Sequence, residues 1–402
     1  MSKGARVSRD FLLFLAAGCF AGFSGSIVDS VFNNFLSDTF HLGDLQRTLL
    51  EVPRELPGLL VVFISGLFFF LSNRRLAVLA NLMMTAGLVL IGFLSRTPAV
   101  MLVWLFLYST GQHLFIPLSS GLGMELAQEG RHGRVLGNLQ GAANLAAIAG
   151  SFLVFVGFAR LGFTFAASFA IASGGFLAAA LCILCMAPHA PVPAGTRFRL
   201  RKEYRLFYLL TVLYGTRKQI FLTFAPWVLV TVFRQEVQVL ATLLTAGGVL
   251  GIGFKPLLGR MIDRLGERFI LAGEAALLVF VCLGYGFARD LFPPPVALGV
   301  AMACYVADQL LMSAGMARAT YLMKVAVDPR DVTPTLTMGV TIDHVFSITT
   351  AVASGFLWSA AGPRAVFAAG ALLALANLVA ALRVRTPPAG PRGEIPVDSR
   401  GD

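Results

Sequence analysis

The chain has 402 residues, of which 57% are apolar and only 13% charged, and it carries a formal net charge of +11. Charged residues make up about a quarter of an ordinary soluble domain, so this composition excludes one. It also argues against a nucleic-acid binder, because the basic residues sit between apolar stretches instead of clustering on one soluble face.

Crossing about 30 Å of hydrocarbon takes roughly 20 mostly apolar residues, so a chain of this length with short connections holds about a dozen helices. The first span, 10–36, follows Lys3, Arg6 and Arg9 and so imitates a secretory leader. Its apolar stretch continues past Asp29 toward Phe35, longer than a leader core, and it reads as a membrane helix. The second, 46–71, opens Glu51-Val52-Pro53-Arg54-Glu55-Leu56-Pro57-Gly58, dense in charge and proline for a lipid-facing helix. Glu51 and Glu55 share a helical face with Arg54 within reach. The segment reads either as part of a solute path or as a packing cluster. Spans at 76–94, 99–125, 136–158 and 163–187 complete the first half. The five cysteines all fall inside spans, where Cys182 and Cys185 read as packing residues.

The connection 188–203 is rich in proline and basic residues and divides the chain in two. After it come spans at 204–232, 236–258, 268–288, 294–322, 335–360 and 363–383. Shifting one half over the other by about 193 residues keeps span lengths and basic loops in step, the mark of a parallel repeat. The expected organisation is a bundle of six helices over 1–187, a central loop over 188–203, a second six-helix bundle over 204–386 and a disordered tail over 387–402. Basic residues crowd alternate connections, from Arg74 and Arg75 to Arg383 and Arg385, whereas the others hold about one cation each. That asymmetry places both termini in the cytoplasm, with a bacterial inner membrane the expected location.

After the eighth span comes Gly259-Arg260-Met261-Ile262-Asp263-Arg264-Leu265-Gly266-Glu267-Arg268. This run resembles the signature loop of the major facilitator superfamily, G-x-L-A-D-R-x-G-R-R. The resemblance implies an all-α membrane protein with twelve transmembrane helices in two pseudo-symmetric six-helix bundles. It also implies a gate at Gly259, Asp263, Arg264, Gly266 and Arg268. The first half departs from the pattern, with Phe70 where the acid belongs, so the expected gate is asymmetric. The fifth span also lacks the Gly-Pro pair that resembles the antiporter signature of drug exporters.

In that family the first, fourth, seventh and tenth helices line a central cavity. Carried over, this marks Asp29, Gln112, His113, Arg217, Lys218, Asp308 and Gln309. Arg54 and Glu55 join them as solute-binding candidates. Ionisable groups at membrane depth cost several kcal/mol unless paired or hydrated, which makes each a functional suspect. Arg217 and Lys218 are adjacent, so they point about 100° apart and one of them faces the cavity. A mid-depth cation suits an anionic solute, and the competing reading is an ion pair with Asp29 or Asp308. Asp343 beside His344 is the preferred proton carrier, with Glu51 or Glu55 in reserve.

No metal-ligand spacing, nucleotide loop or nucleophile motif is present, so no cofactor, metal site or enzymatic activity is expected. The expected function is proton-coupled alternating-access transport of a small organic solute, polar or anionic, by a monomer whose partners are the solute, protons and the lipid bilayer. A drug or metabolite efflux antiporter is the alternative, and a non-transporting sensor of the same fold stands behind it.

Overall fold

Hydrocarbon offers the backbone no hydrogen-bond partner, so each apolar stretch satisfies its own amides by coiling into a helix. The computed structural model describes residues 8–40, 44–187, 200–235 and 237–385, with side chains described except at 33, 37, 44–54, 237, 238 and 241. The central loop residues 188–199 and the tail expected to be disordered lie outside this set. Among the described residues the helices are α1 (Arg9–Phe40), α2 (Asp44–Leu67), α3 (Asn73–Leu94), α4 (Pro98–Glu125), α5 (His132–Arg160) and α6 (Phe165–Leu184). The second half adds α7 (Arg205–Thr231), α8 (Val237–Leu265), α9 (Glu267–Leu291), α10 (Pro294–Leu311), α11 (Gly315–Val325) and α12 (Val332–Leu382).

Two of these labels hide a difference between helices and crossings. α10 and α11 continue one another across a 3₁₀ turn at Met312–Ala314. α12 divides at Gly362, whose φ of 77° breaks the helix just before Pro363. Counted as crossings, the described helices fit the twelve spans expected from hydropathy. Ser72, Thr97 and Thr164 start α3, α4 and α6 by accepting the amide N–H three residues on, at 3.2–3.3 Å.

In the first half α1 packs on α5 and α6, α3 on α4 and α6, and α2 on α4. In the second, α7 and α9 pack on α12, and α10 on α8 and α9. The halves meet along two seams, α5 with α8 and α2 with α12. Where α1 begins and α12 ends, here the terminal end, one apolar cluster joins Met124 and Leu136 of the first half to Tyr204, Phe207, Leu258 and Ile262 of the second. Toward the opposite end each half has its own core, one built on Phe35, Leu88 and Phe169, the other on Phe221, Tyr285 and Phe367. The molecule is therefore closed between its halves at the terminal end.

The outer surface is apolar: Phe280 is 70% and Phe356 74% exposed. Such large apolar side chains face outward at low cost only where the solvent is lipid. The α5–α8 seam is made at backbone level. A Cβ on Gly137 would lie 2.5 Å from the Lys255 carbonyl oxygen, and one on Gly259 would collide with the carbonyl of Gly133. Small residues let the two helices touch main chain to main chain.

Candidate functional site

Between the halves lies a cavity of about 290 Å³ walled by α4, α7, α11 and α12. Its polar lining includes Ser120, Tyr214, Lys218, Arg318, Asp343 and His344. α7 carries Lys218 to the cavity and turns its neighbour Arg217 into the second half, as the 100° step of a helix requires. Lys218 is ion-paired across the cavity wall with Asp343 of α12. Asp343 keeps a second buried oxygen, Oδ1, with no hydrogen-bond partner.

Arg217 and Asp308 form their own buried ion pair at 2.5 Å, away from the cavity lining. Rings of Phe221 and Tyr214 lie 5.4 and 5.9 Å from the guanidinium. Of the two expectations for Arg217, the geometry shows the ion pair, and in this conformation neither residue lines the cavity. Asp29 is also elsewhere: it lines a separate cavity of about 160 Å³ inside the first half, with Phe32, Leu88 and Tyr108. The side chains of Glu51 and Arg54 lie outside the described residues.

Arg318 was not singled out by sequence reasoning, yet it lines the cavity. Its guanidinium lies 3.4 Å from the centroid of the Tyr214 ring, and it has no ion-pair partner among the described residues. Its only advance signal was position, ten residues beyond Asp308 in the same span.

A second polar group joins the halves at the cavity edge. Glu55 of α2 stands 3.1 Å from Nε2 of His344 on α12 and 3.7 Å from Nε2 of His113 on α4. The two Nε2 atoms are 3.1 Å apart. The expectation that no metal-ligating cluster exists rested on spacing along the chain. Chain spacing could not reveal a group that the fold assembles, and here three atoms able to ligate come together from positions 55, 113 and 344.

At the terminal end Asp263 accepts two backbone N–H groups at the start of α5, from Gly133 at 2.8 Å and Arg134 at 2.7 Å. A carboxylate there meets both the unsatisfied amides and the positive end of the helix dipole. Gly266 supplies the φ of 83° that turns the chain from α8 into α9, while Arg264 and Arg268 are exposed at the same end. On the other seam Phe70 is exposed and packs against Phe68 and Phe69. The cross-half contact there is neutral: the Asn73 amide donates to Thr333 Oγ1 at 3.3 Å, and to Glu125 of its own half at 3.2 Å. Glu274 is buried in the second half and accepts from the Asn377 amide at 3.4 Å.

Two helical bundles around a central cavity, closed at one end by cross-half latches, define the class of polytopic transporter. The chain belongs to the Major Facilitator Superfamily, whose family model matches residues 14–327. Among solved structures it is similar to the E. coli fucose:proton symporter FucP in an outward conformation, with 16% identity, a TM-score of 0.74, and 92% of this chain and 97% of that one covered. It is similar also to the human organic anion transporter MFSD10, at 12% identity and a TM-score of 0.70, covering 93% and 99%. A bacterial homologue of the iron transporter ferroportin in an outward-facing state matches at 13% identity and a TM-score of 0.73, covering 93% and 99%. No curated protein sequence matches significantly.

Proposed function

We propose that this protein is a monomeric, proton-coupled secondary transporter of a small organic anion, working by alternating access between its two six-helix halves, 1–187 and 204–386. The observation that carries this reading is the charge of the central cavity, where Lys218 and Arg318 face the single carboxylate Asp343. Coupling follows from the Lys218–Asp343 pair. A proton on Asp343 cancels its hold on Lys218 and frees the ammonium for the anion. Loss of the proton restores the pair and displaces the solute. Arg318 supplies a planar fork suited to a carboxylate or phosphate.

The crowding of basic residues at the terminal end supports a cytoplasmic placement of that end, in a bacterial inner membrane on this reading. In that orientation the latches at Asp263 and Asn73 close the cytoplasmic gate. FucP carries fucose with protons and MFSD10 organic anions, and both activities fit this fold. A cationic solute competing with Lys218 for Asp343 would turn the same device into an efflux antiporter. Two cations against one acid favour the anion.

The test starts from a thermal-stabilisation screen of organic anions and their neutral and cationic analogues in detergent, because a ligand of the folded state raises apparent stability. Uptake of the hit into proteoliposomes is then measured with and without an imposed pH gradient. Asp343→Asn is expected to abolish gradient-driven accumulation while leaving exchange, and Lys218→Ala and Arg318→Ala to weaken solute binding. PH-driven uptake unchanged in Asp343→Asn would refute the assignment.

A further inference from the structure

Glu55, His113 and His344 carry no role in the solute reading, yet their ligand atoms meet from three helices of both halves. Each imidazole is fixed through its other nitrogen. Nδ1 of His113 lies 2.9 Å from the carbonyl of Ser109, and Nδ1 of His344 lies 2.8 Å from that of Val340. A carbonyl only accepts, so a hydrogen on Nδ1 satisfies it in both rings; in His113 the Ser109 hydroxyl, 3.1 Å from the same nitrogen, then accepts as well. In the neutral rings Nε2 is therefore a bare lone pair.

Those two lone pairs and a carboxylate oxygen of Glu55 converge at 3.1, 3.1 and 3.7 Å. With both rings neutral these are three acceptors facing one another, and a cation at their centre, either a proton on one ring or a metal ion, relieves their repulsion. For a metal ion the spacing identifies the kind. Ligand atoms about 2.0–2.1 Å from a tetrahedral ion stand roughly 3.3 Å from one another, which the three distances bracket. Imidazole nitrogens suit zinc, copper, nickel or iron, whereas magnesium and calcium require oxygen ligands. A histidine that hands its second nitrogen to a backbone carbonyl is the usual support of such a ligand.

Space has been made for this group. Gly58 lies one turn beyond Glu55 on α2, and a Cβ there would overlap the His344 ring and stand 2.7 Å from Cδ2 of His113. Both rings are buried, while Glu55 is part-exposed. His344 also lines the central cavity, which leaves a direction for a fourth ligand.

We infer that Glu55, His113 and His344 form a binding site for a single divalent transition-metal ion, with ligands from both halves, so that an occupied site ties the halves together in this conformation. Glu55 and His113 belong to the first half and His344 to the second. The ion therefore binds this state in preference to any state in which α2 and α12 part. It acts as a brake on the transport cycle, whatever the solute.

Zn²⁺ and Co²⁺ are the probes, with Mg²⁺ as control, titrated into the full-length protein purified in detergent at neutral pH. The expected result is one equivalent of Zn²⁺ bound, a higher Tm with Zn²⁺ but not with Mg²⁺, and visible absorption bands of four-coordinate Co²⁺. Glu55→Gln, His113→Gln and His344→Gln are each expected to weaken Zn²⁺ binding at least 100-fold. Asp343→Asn, which disables the proposed coupling, retains Zn²⁺ binding, so the two proposals fail separately. Absence of saturable Zn²⁺ and Co²⁺ binding by the wild-type protein would overturn the inference without recourse to any variant. Binding at full strength in all three glutamine variants would overturn it too, by placing the ion elsewhere, for example at Cys182 and Cys185.

Discussion

Removing the carboxylate of Asp263 should unlatch the α5–α8 seam at the terminal end. The acid accepts two backbone N–H groups of α5, at 2.7 and 2.8 Å. Hydrogen bonds to a charged group contribute about 1.5–3 kcal/mol each, and an acid at a helix N-terminus about 0.3–1 kcal/mol more. Asp263 is only half-buried, so water screens part of this and replaces part of what is lost. Taking the low end of each range and discounting it leaves about 2 kcal/mol for Asp263→Ala, roughly a 30-fold shift toward conformations with this end open. Asp263→Asn keeps one acceptor but not the charge, and should fall between. Spin labels at Glu129→Cys and Phe269→Cys, both exposed positions, in a background free of the five native cysteines, would report the separation by pulsed electron resonance. The wild type should give one short distance and the Ala variant an added longer one. Identical distance distributions in wild type, Asn and Ala variants would show that these two bonds do not hold the end shut.

Arg217→Met leaves Asp308 charged and unpaired inside the second half, a loss of about 3–5 kcal/mol that should lower the Tm in detergent. The double variant Arg217→Met with Asp308→Leu should recover most of it, and failure to recover would mean that the pair does more than neutralise itself. Gly259→Val drives a side chain into the Gly133 carbonyl and should open the terminal end in the same distance measurement without removing any charge. Tyr204, in the 3₁₀ turn that precedes α7 at Arg205 and not in the helix itself, donates to buried Asp331 at 2.8 Å and accepts from the Val327 amide at 3.1 Å. Burial and the bond to Asp331 push its hydroxyl up to about 12. A raised value means that the stabilisation is whole below about pH 10 and fades as pH climbs through 12. Tyr204→Phe should cost about 1–3 kcal/mol near neutrality and remove that alkaline slope in thermal unfolding.

Hydropathy made the helices legible because each crossing is a local property, a run of apolar residues that must coil wherever it lies. The signature loop was legible for the same reason: Gly259, Asp263 and Gly266 lie within eight positions, and the structure gives each a physical task. Phe70 was equally readable as a missing acid. What replaces that acid was not, because Asn73 and Thr333 meet from opposite halves. Sequence marked Arg217, Lys218, Asp308 and Asp343 as ionisable groups out of place, but not which pairs with which. Two adjacent cations on α7 send their partners' choice to rotation about the helix axis, a quantity that tertiary packing decides. Glu55, His113 and His344 are the extreme case, three residues on three helices with no shared spacing.

The glycines of the α5–α8 seam carry one more consequence. Gly133 and Gly137 on one helix and Gly259 on the other meet as bare backbone, so at these positions main chain sets the closest approach, with the side chains of Ile262 and Pro256 seated on Gly133 and Gly141 beside it. A seam with teeth would have to disengage a whole row of contacts before it moved. A smooth one can roll, exchanging one carbonyl contact for the next at nearly constant energy. On this view α5 and α8 form a bearing, and the preference for one conformation resides in the few discrete fastenings around it.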